Sequence, residues 1–150
     1  MNLMRMAISG LAGALTLTGA HQVLKRYNPD APHLDSLGMQ SIDKLMSAVG
    51  MEPLSGRPLF QSALAGDLVS NSLYYSQVGS ASGSGTWIRG IILGLTAGYG
   101  AVKLPAKLGL NSAASSRTKE TELMTVGLYL LGGLAAAAAA QLLCNDDKSK

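Results

Sequence analysis

The sequence predicts an all-α fold: an integral membrane four-helix bundle with a short amphipathic helix in its first long loop. Only 14% of the 150 residues are charged, whereas soluble domains average about 25%. Glycine, which is common in transmembrane helices, supplies 18 residues. Four apolar stretches are each long enough to cross a bilayer. At this length we expect one membrane-embedded domain that covers residues 1–150.

The four apolar stretches define the predicted spans. A hydrocarbon core of about 30 Å requires about 17–25 helical residues, and helices are expected because lipid cannot satisfy an open backbone. A helix of a soluble bundle would show a polar outer face. The first and last stretches contain no Lys, Arg, Asp or Glu, which argues against that alternative. The predicted spans cover residues 6–24, 59–78, 87–104 and 123–144.

The first stretch is also compatible with a secretory signal. Arg5 precedes an apolar run, and Thr18-Gly19-Ala20 resembles a small-residue cleavage site. Removal of that segment would leave three spans. Lys25 and Arg26 directly follow the apolar run, as is typical of a membrane exit, and this favours a retained span.

Residues 25–58 form the first long loop and contain a predicted amphipathic helix. The helix begins near Asp35 or Ser36 and ends at Gly50. This helix either lies on the membrane surface or packs over the loop end of the bundle. Its apolar positions follow helical spacing: Leu34, Leu37, Ile42, Leu45, Met46 and Val49.

The basic residues predict the orientation of the chain. With four spans, four of the 12 Lys and Arg residues lie on the side of the termini, and eight lie in or beside the two long loops, residues 25–58 and 105–121, on the other side. Cytoplasmic loops carry the excess of basic residues. We therefore expect a protein of the cell or inner membrane, with both long loops in the cytoplasm.

Gly90, Gly94 and Gly98 recur at a spacing of four in the third span. Such a row forms a shallow groove on one helix face, into which another helix can pack closely. The fourth span offers small residues at Gly132, Ala136 and Ala140 as a partner. We favour packing within the chain, with a homodimer interface as the alternative.

A polar face in the second span is the strongest candidate for a site. Asp67, Ser70, Asn71 and Tyr74 follow the i, i+3, i+4, i+7 pattern and share one side of a helix. An ionised Asp at mid-membrane costs about 2.5–3.5 kcal/mol on insertion scales, so this face should turn inward. This face either holds the helices together through interhelical hydrogen bonds or forms part of an ion or substrate path. The sequence places no second ionisable group at this depth.

Residues of the other spans at the depth of Asp67 are candidate hydrogen-bond partners for it. Counting from the span ends selects Thr16, Thr96 and Tyr99.

Several other functions find no support. Aromatic residues make up 5% of the chain and no basic stripe occurs, so we expect no nucleic-acid binding. The loop residues Asp30, His33 and Asp35 include metal-ligand types, but turn formation and capping explain the carboxylates. We predict no metal, no cofactor and no catalytic residue.

The sequence therefore indicates a small multi-pass membrane protein without catalytic activity, acting as a structural or accessory subunit. Its partners would be the lipid bilayer and other membrane subunits or a second copy. The alternative is a transporter or channel component that uses the polar face around Asp67.

Overall fold

The computed structural model describes residues 2–146, which contain helices and no strand. The all-α prediction is confirmed. The sequence also predicts a short charged tail at 145–150, of which residues 147–150 lie outside the described range. The helices are α1 (Leu3–Tyr27), α2 (Leu34–Ala48), α3 (Gly56–Ser76), α4 (Ser84–Lys107), α5 (Ala113–Ser116) and α6 (Lys119–Asp146), with a 3-10 turn at Gln77–Ser80 after α3.

Four helices are long enough to cross a bilayer. Helices α1, α3, α4 and α6 have 21 to 28 residues, or about 32–42 Å at 1.5 Å per residue. Within the described chain, α1 and α6 are also apolar enough to cross a membrane. Helices α3 and α4 have the length but are less apolar.

The long helices pack side by side in the order α4, α6, α1, α3, and each is antiparallel to its neighbour. Helix α6 therefore has a long helix on both sides. Helix α2 lies against the outer side of α3. This order places the small residues of α6 at two interfaces.

The glycine row of α4 packs against α6. A Cβ atom at Gly90 would lie 2.5 Å from the carbonyl oxygen of Gly133, and one at Gly94 would lie 2.7 Å from Cα of Leu130. The two backbones are thus in direct contact. The proposed partner face of α6 was wrong, because Gly132 faces α1 and α3 instead: a Cβ at Gly13 of α1 would lie 2.9 Å from its carbonyl oxygen.

Tyr75 fills the space between α1, α3 and α6. Its side chain is fully buried, and its ring lies against Gly13 and Gly132, where an added Cβ would approach within about 3 Å. Its hydroxyl donates a hydrogen bond of 2.6 Å to the carbonyl oxygen of Tyr129. The tyrosine ring therefore takes the place that side chains at the two glycines would occupy.

Side chains also link the helices through main-chain carbonyl groups. Tyr74 of α3 donates to the carbonyl oxygen of Leu93 in α4 at 2.9 Å. Arg5 of α1 is buried, and its Nε donates to the carbonyl oxygen of Ala140 at 2.9 Å. Its Nη2 donates to Oγ1 of Thr86 at 3.3 Å, so a single arginine connects α1, α4 and α6.

Helix α2 packs on the protein through its inner side. Gly38 lies against Ala63 of α3, and Gln40 accepts a hydrogen bond of 2.8 Å from the backbone N–H of Asn111. Lys44 donates to the carbonyl oxygen of Leu108. The outer residue Leu45 stays exposed. The helix thus covers the loop end of the molecule, one of its two predicted positions.

We expect Gly94→Ala to destabilise the fold by about 1–3 kcal/mol, because the new methyl group would overlap the α6 backbone. Gly127→Ala is the matched control in α6, because a Cβ there meets no atom within 4 Å. The control should be neutral or slightly stabilising, since Ala favours helix by about 0.5–1 kcal/mol. Thermal unfolding in detergent measures both effects. Equal melting temperatures would contradict the observed packing.

Candidate functional site

The four polar residues predicted on α3 do not all point the same way. Asn71 is buried, and Asp67 and Tyr74 are half-buried. Ser70 is exposed, and its hydroxyl donates to the carbonyl oxygen of Asp67 in its own helix at 3.1 Å. The site is therefore built on Asp67 and Asn71, whereas Tyr74 links α3 to α4.

The carboxylate of Asp67 accepts two hydrogen bonds. Asn71 Nδ2 donates to Oδ1 at 2.8 Å, and Thr18 Oγ1 of α1 donates to Oδ2 at 3.4 Å. The sequence-based partners were wrong. Thr96 lines a separate groove beside α4, and Tyr99 is exposed. Depth along the span gives no information on which helix faces are in contact.

His21 lies one turn after Thr18 and is only 4% exposed. Its Nε2 is 2.8 Å from the carbonyl oxygen of Pro32 and 3.4 Å from the backbone nitrogen of Leu34; the shorter contact places the proton on Nε2, because a carbonyl oxygen can only accept. In that tautomer Nδ1 is the acceptor. His21 and Asp67 line one cavity, so an ionisable side chain lies near Asp67, although His21 is one turn farther along α1 than Thr18.

The cavity between α1, α2 and α3 has a volume of about 20 Å³. This volume accommodates one water molecule, which needs about 10–15 Å³ and two to four polar partners. Thr18, His21, Asp35 and Asp67 line the cavity and can supply such partners. Asp35 Oδ1 is buried and has no hydrogen-bond partner among the described residues. Buried polar atoms of this kind are commonly satisfied by internal water.

Asp35 also forms an ion pair at the loop end of the cavity. Its Oδ2 lies 2.5 Å from Nζ of Lys25 in the last turn of α1, and the Asp35 side chain is 13% exposed. Burial by itself raises the pKa of Asp35. The hydrogen bond and charge of Lys25, helped by His21, outweigh that effect and lower the pKa below its ordinary value.

A second, open space also reaches Asp67. This groove of about 350 Å³ runs between α2 and α3, and Asp67, Ser70 and Ser41 lie along it. Asp67 therefore lines both the open groove and the smaller, more enclosed cavity. The cavity can hold a water molecule within reach of the polar side chains of Asp67, His21 and Asp35.

The residues considered as metal ligands are not arranged around a common point, as the ligands of a metal ion would be. Asp30 lies 3.4 Å from Nη2 of Arg117, and Asp35 is paired with Lys25. Across residues 2–146, no three His, Cys, Asp or Glu side chains converge as they would around a metal ion. The carboxylates are engaged by basic side chains.

No protein-family model, curated protein or solved structure matches this chain. The arrangement of its own side chains, together with its apolar surface, is therefore the basis for a functional proposal.

We expect Asp67→Asn to fold and melt like the parent protein. The Asn oxygen can accept from Asn71, and its NH₂ group can donate to Thr18. Asp67→Leu should lose both hydrogen bonds and about 0.6–2 kcal/mol of stability. Thermal unfolding in detergent compares the three proteins. Strong destabilisation by Asn would instead indicate an ionised Asp67 held by a cation.

The Lys25–Asp35 ion pair should make unfolding acid-sensitive. At a pH well above the ordinary Asp pKa of about 3.9, both folded and unfolded states are ionised and the pair stabilises fully. As the pH falls, the unfolded chain binds a proton first, so this stabilisation is lost as the pH passes through the lowered folded pKa.

We therefore expect the melting temperature to drop between about pH 5 and pH 3, and to drop less in Asp35→Asn. Asp43→Asn, which changes an exposed carboxylate of α2, is the control. Identical acid profiles for the two variants would rule out this contribution of Asp35.

Proposed function

We propose that this chain is a multi-pass membrane protein in which α1, α3, α4 and α6 cross the bilayer as a four-helix bundle. Its role is that of a non-catalytic structural or accessory subunit. The supporting observation is the distribution of its side chains. Large apolar residues lie outside, whereas small and polar residues form much of the interior, the reverse of an ordinary soluble domain.

The outward apolar residues of α1 form a stripe at helical spacing. Leu11 and Leu15 are more than half exposed, and Met4 and Ile8 continue the same face. The inner side of this helix carries Ser9 and other small residues. An apolar stripe of this length suits contact with lipid or with the helix of another membrane subunit.

Helices α3 and α4, though less apolar overall, show the same pattern. Leu73 of α3 is 68% exposed, and Ile88 and Ile92 of α4 are more than half exposed. Some of their polar groups turn inward: Asn71 and Thr86 are buried, whereas Ser70 and Tyr99 are exposed. The exposed apolar residues support crossing by these helices, and the burial of Asn71 and Thr86 removes two polar side chains from the lipid-facing surface.

An accessory role is supported by the buried polar side chains, which form hydrogen bonds between helices of this chain. Tyr74, Tyr75 and Arg5 donate to main-chain carbonyl groups of neighbouring helices, which holds the helices together. The glycine row of α4 is likewise used within the chain. What faces outward is apolar surface suited to lipid and partner helices.

Single-cysteine labelling tests the proposed topology at α3. In a Cys144→Ser background, Glu52→Cys lies in the first long loop and Ser82→Cys lies in the Gly/Ser loop between α3 and α4. We expect a membrane-impermeant maleimide to label Glu52→Cys from the cytoplasmic side and Ser82→Cys from the opposite side. Labelling of both from one side would mean that α3 does not cross, and the four-span topology would then be wrong.

The same membranes test the accessory role. A photo-crosslinking residue at exposed Leu15 should form a defined protein adduct, whereas one at buried Leu17 should not. Adducts with lipid alone at Leu15 and at the other stripe positions would contradict the subunit proposal. Extraction by alkaline carbonate would contradict membrane insertion itself.

A transporter or channel component is the second candidate, favoured by one observation. Asp67 borders both the open groove and the enclosed cavity that His21 and Asp35 also line. In this proposal Asp67 binds and releases a proton or cation during transport.

Reconstituted flux tests this second candidate. Asp67→Asn should abolish proton or cation flux in liposomes while leaving the fold intact, because the amide cannot release a proton. Asp43→Asn, at an exposed position of α2, should leave flux unchanged. Unchanged flux in Asp67→Asn would remove the transport candidate.

A further inference from the structure

A second groove, distinct from the one at Asp67, runs along the C-terminal half of α4. It has a volume of about 350 Å³ and an almost wholly apolar lining. Tyr74 of α3 forms one edge, and Tyr129 of α6 also lines it. The wall contributed by α4 includes Ala97, Gly100, Ala101 and Leu104.

The groove is open at Gly100. A Cβ atom there would meet only Cδ1 of Leu104, at 3.4 Å. In contrast, Gly94 and Gly98 of the same helix are in backbone contact with α6. Gly100 therefore widens the groove, whereas the other glycines bring two helices together.

The length of the groove matches one half of a bilayer. From Thr96 to Leu108 the α4 wall extends about 18 Å at 1.5 Å per residue. One leaflet occupies about half of the roughly 30 Å hydrocarbon core. An acyl chain of one leaflet can therefore lie along the wall, with its headgroup at the end near Leu108.

That end of the groove carries positive charge. The ammonium group of Lys44 lies at the carbonyl oxygen of Leu108. Lys107 follows Gly100 and Leu104 at helical spacing and so lies on the same face of α4. Both lysines are exposed, and neither forms an ion pair with a side chain of residues 2–144. Lys103, by comparison, lies 3.8 Å from Glu122 and lines a different groove.

We propose that this groove is a binding site for an anionic phospholipid, with one acyl chain along α4 and the phosphate at Lys44 and Lys107. The apolar wall buries the chain, and the two ammonium groups attract the anionic headgroup. The site rests on the proposed crossing of α4, since an acyl chain reaches the groove from within the bilayer. It would face the cytoplasmic leaflet, which is the anionic one.

The test adds one of two lipids, which have identical acyl chains, to the purified protein in detergent. Phosphatidylglycerol should raise the melting temperature more than phosphatidylcholine does, and should bind more tightly in native mass spectrometry. Phosphatidylglycerol with a photoactivatable acyl chain should label residues 96–108. Inorganic phosphate alone should have no effect. Equal stabilisation by both lipids, or by free phosphate, would overturn the proposal.

Charge variants test the headgroup contact. Lys44→Gln with Lys107→Gln should weaken phosphatidylglycerol binding by on the order of tenfold and leave phosphatidylcholine binding unchanged. Arg57→Gln with Lys119→Gln is the matched control, because it removes two charges from the same side of the molecule. An equal loss in both double variants would show that net charge, and not this site, attracts the lipid.

A cavity-filling variant tests the acyl-chain contact. Gly100→Leu should occupy the groove and abolish photolabelling of residues 96–108. Gly127→Leu adds the same side chain to the exposed face of α6 and should leave labelling unchanged. Unfolding without lipid confirms that both variants are folded. Persistent labelling of residues 96–108 in folded Gly100→Leu would overturn the proposal.

The two proposals fail in different ways. If Glu52→Cys and Ser82→Cys are labelled from one side, the proposed membrane topology is wrong. If that topology holds but the lipid preference is absent, only the lipid site is wrong.

Discussion

Close backbone approach on both sides of α6 is the constraint on which the rest of the structure depends. Helix α4 reaches the α6 backbone at Gly90 and Gly94, and α1 reaches it from the other side at Gly13. Any larger side chain at these positions would push a helix outward, and van der Waals packing of small residues is a main source of helix association in lipid. With α1 and α4 fixed on α6, a space remains that the ring of Tyr75 fills, and this fixes α3 as well.

The position of α3 in turn creates the polar site. When α3 lies against α1, Asp67 comes within hydrogen-bonding distance of Thr18, one turn from His21. Helix α2 then closes the space from the loop side, because Lys25 at the end of α1 binds Asp35 near the start of α2. The cavity is thus formed by three helices whose contacts are set by packing elsewhere, while its polar lining comes from residues far apart in the sequence.

The sequence predicted the parts of this arrangement that are local to one helix. Length and hydropathy located the four long helices, and an i, i+4 spacing placed Asp67 and Asn71 on one face. It could not predict that Thr18 and His21 face Asp67, because this depends on the rotation of α1 about its axis and on its register against α3. It paired the glycine row of α4 with the wrong side of α6 for the same reason: α6 has small residues on two faces, and composition does not distinguish them.

The interhelical hydrogen bonds also determine which positions can change during evolution. Tyr74, Tyr75 and Arg5 each donate to a carbonyl oxygen of another helix, at Leu93, Tyr129 and Ala140. Every amino acid has that carbonyl group, so the accepting residue can be replaced without loss of the bond, provided that the helix remains in place. The donor cannot be replaced so freely, because few side chains present a hydrogen-bond donor at the same distance from the backbone. Substitutions should therefore accumulate at the positions that supply the accepting carbonyl group, whereas the positions that supply the donor side chain stay restricted.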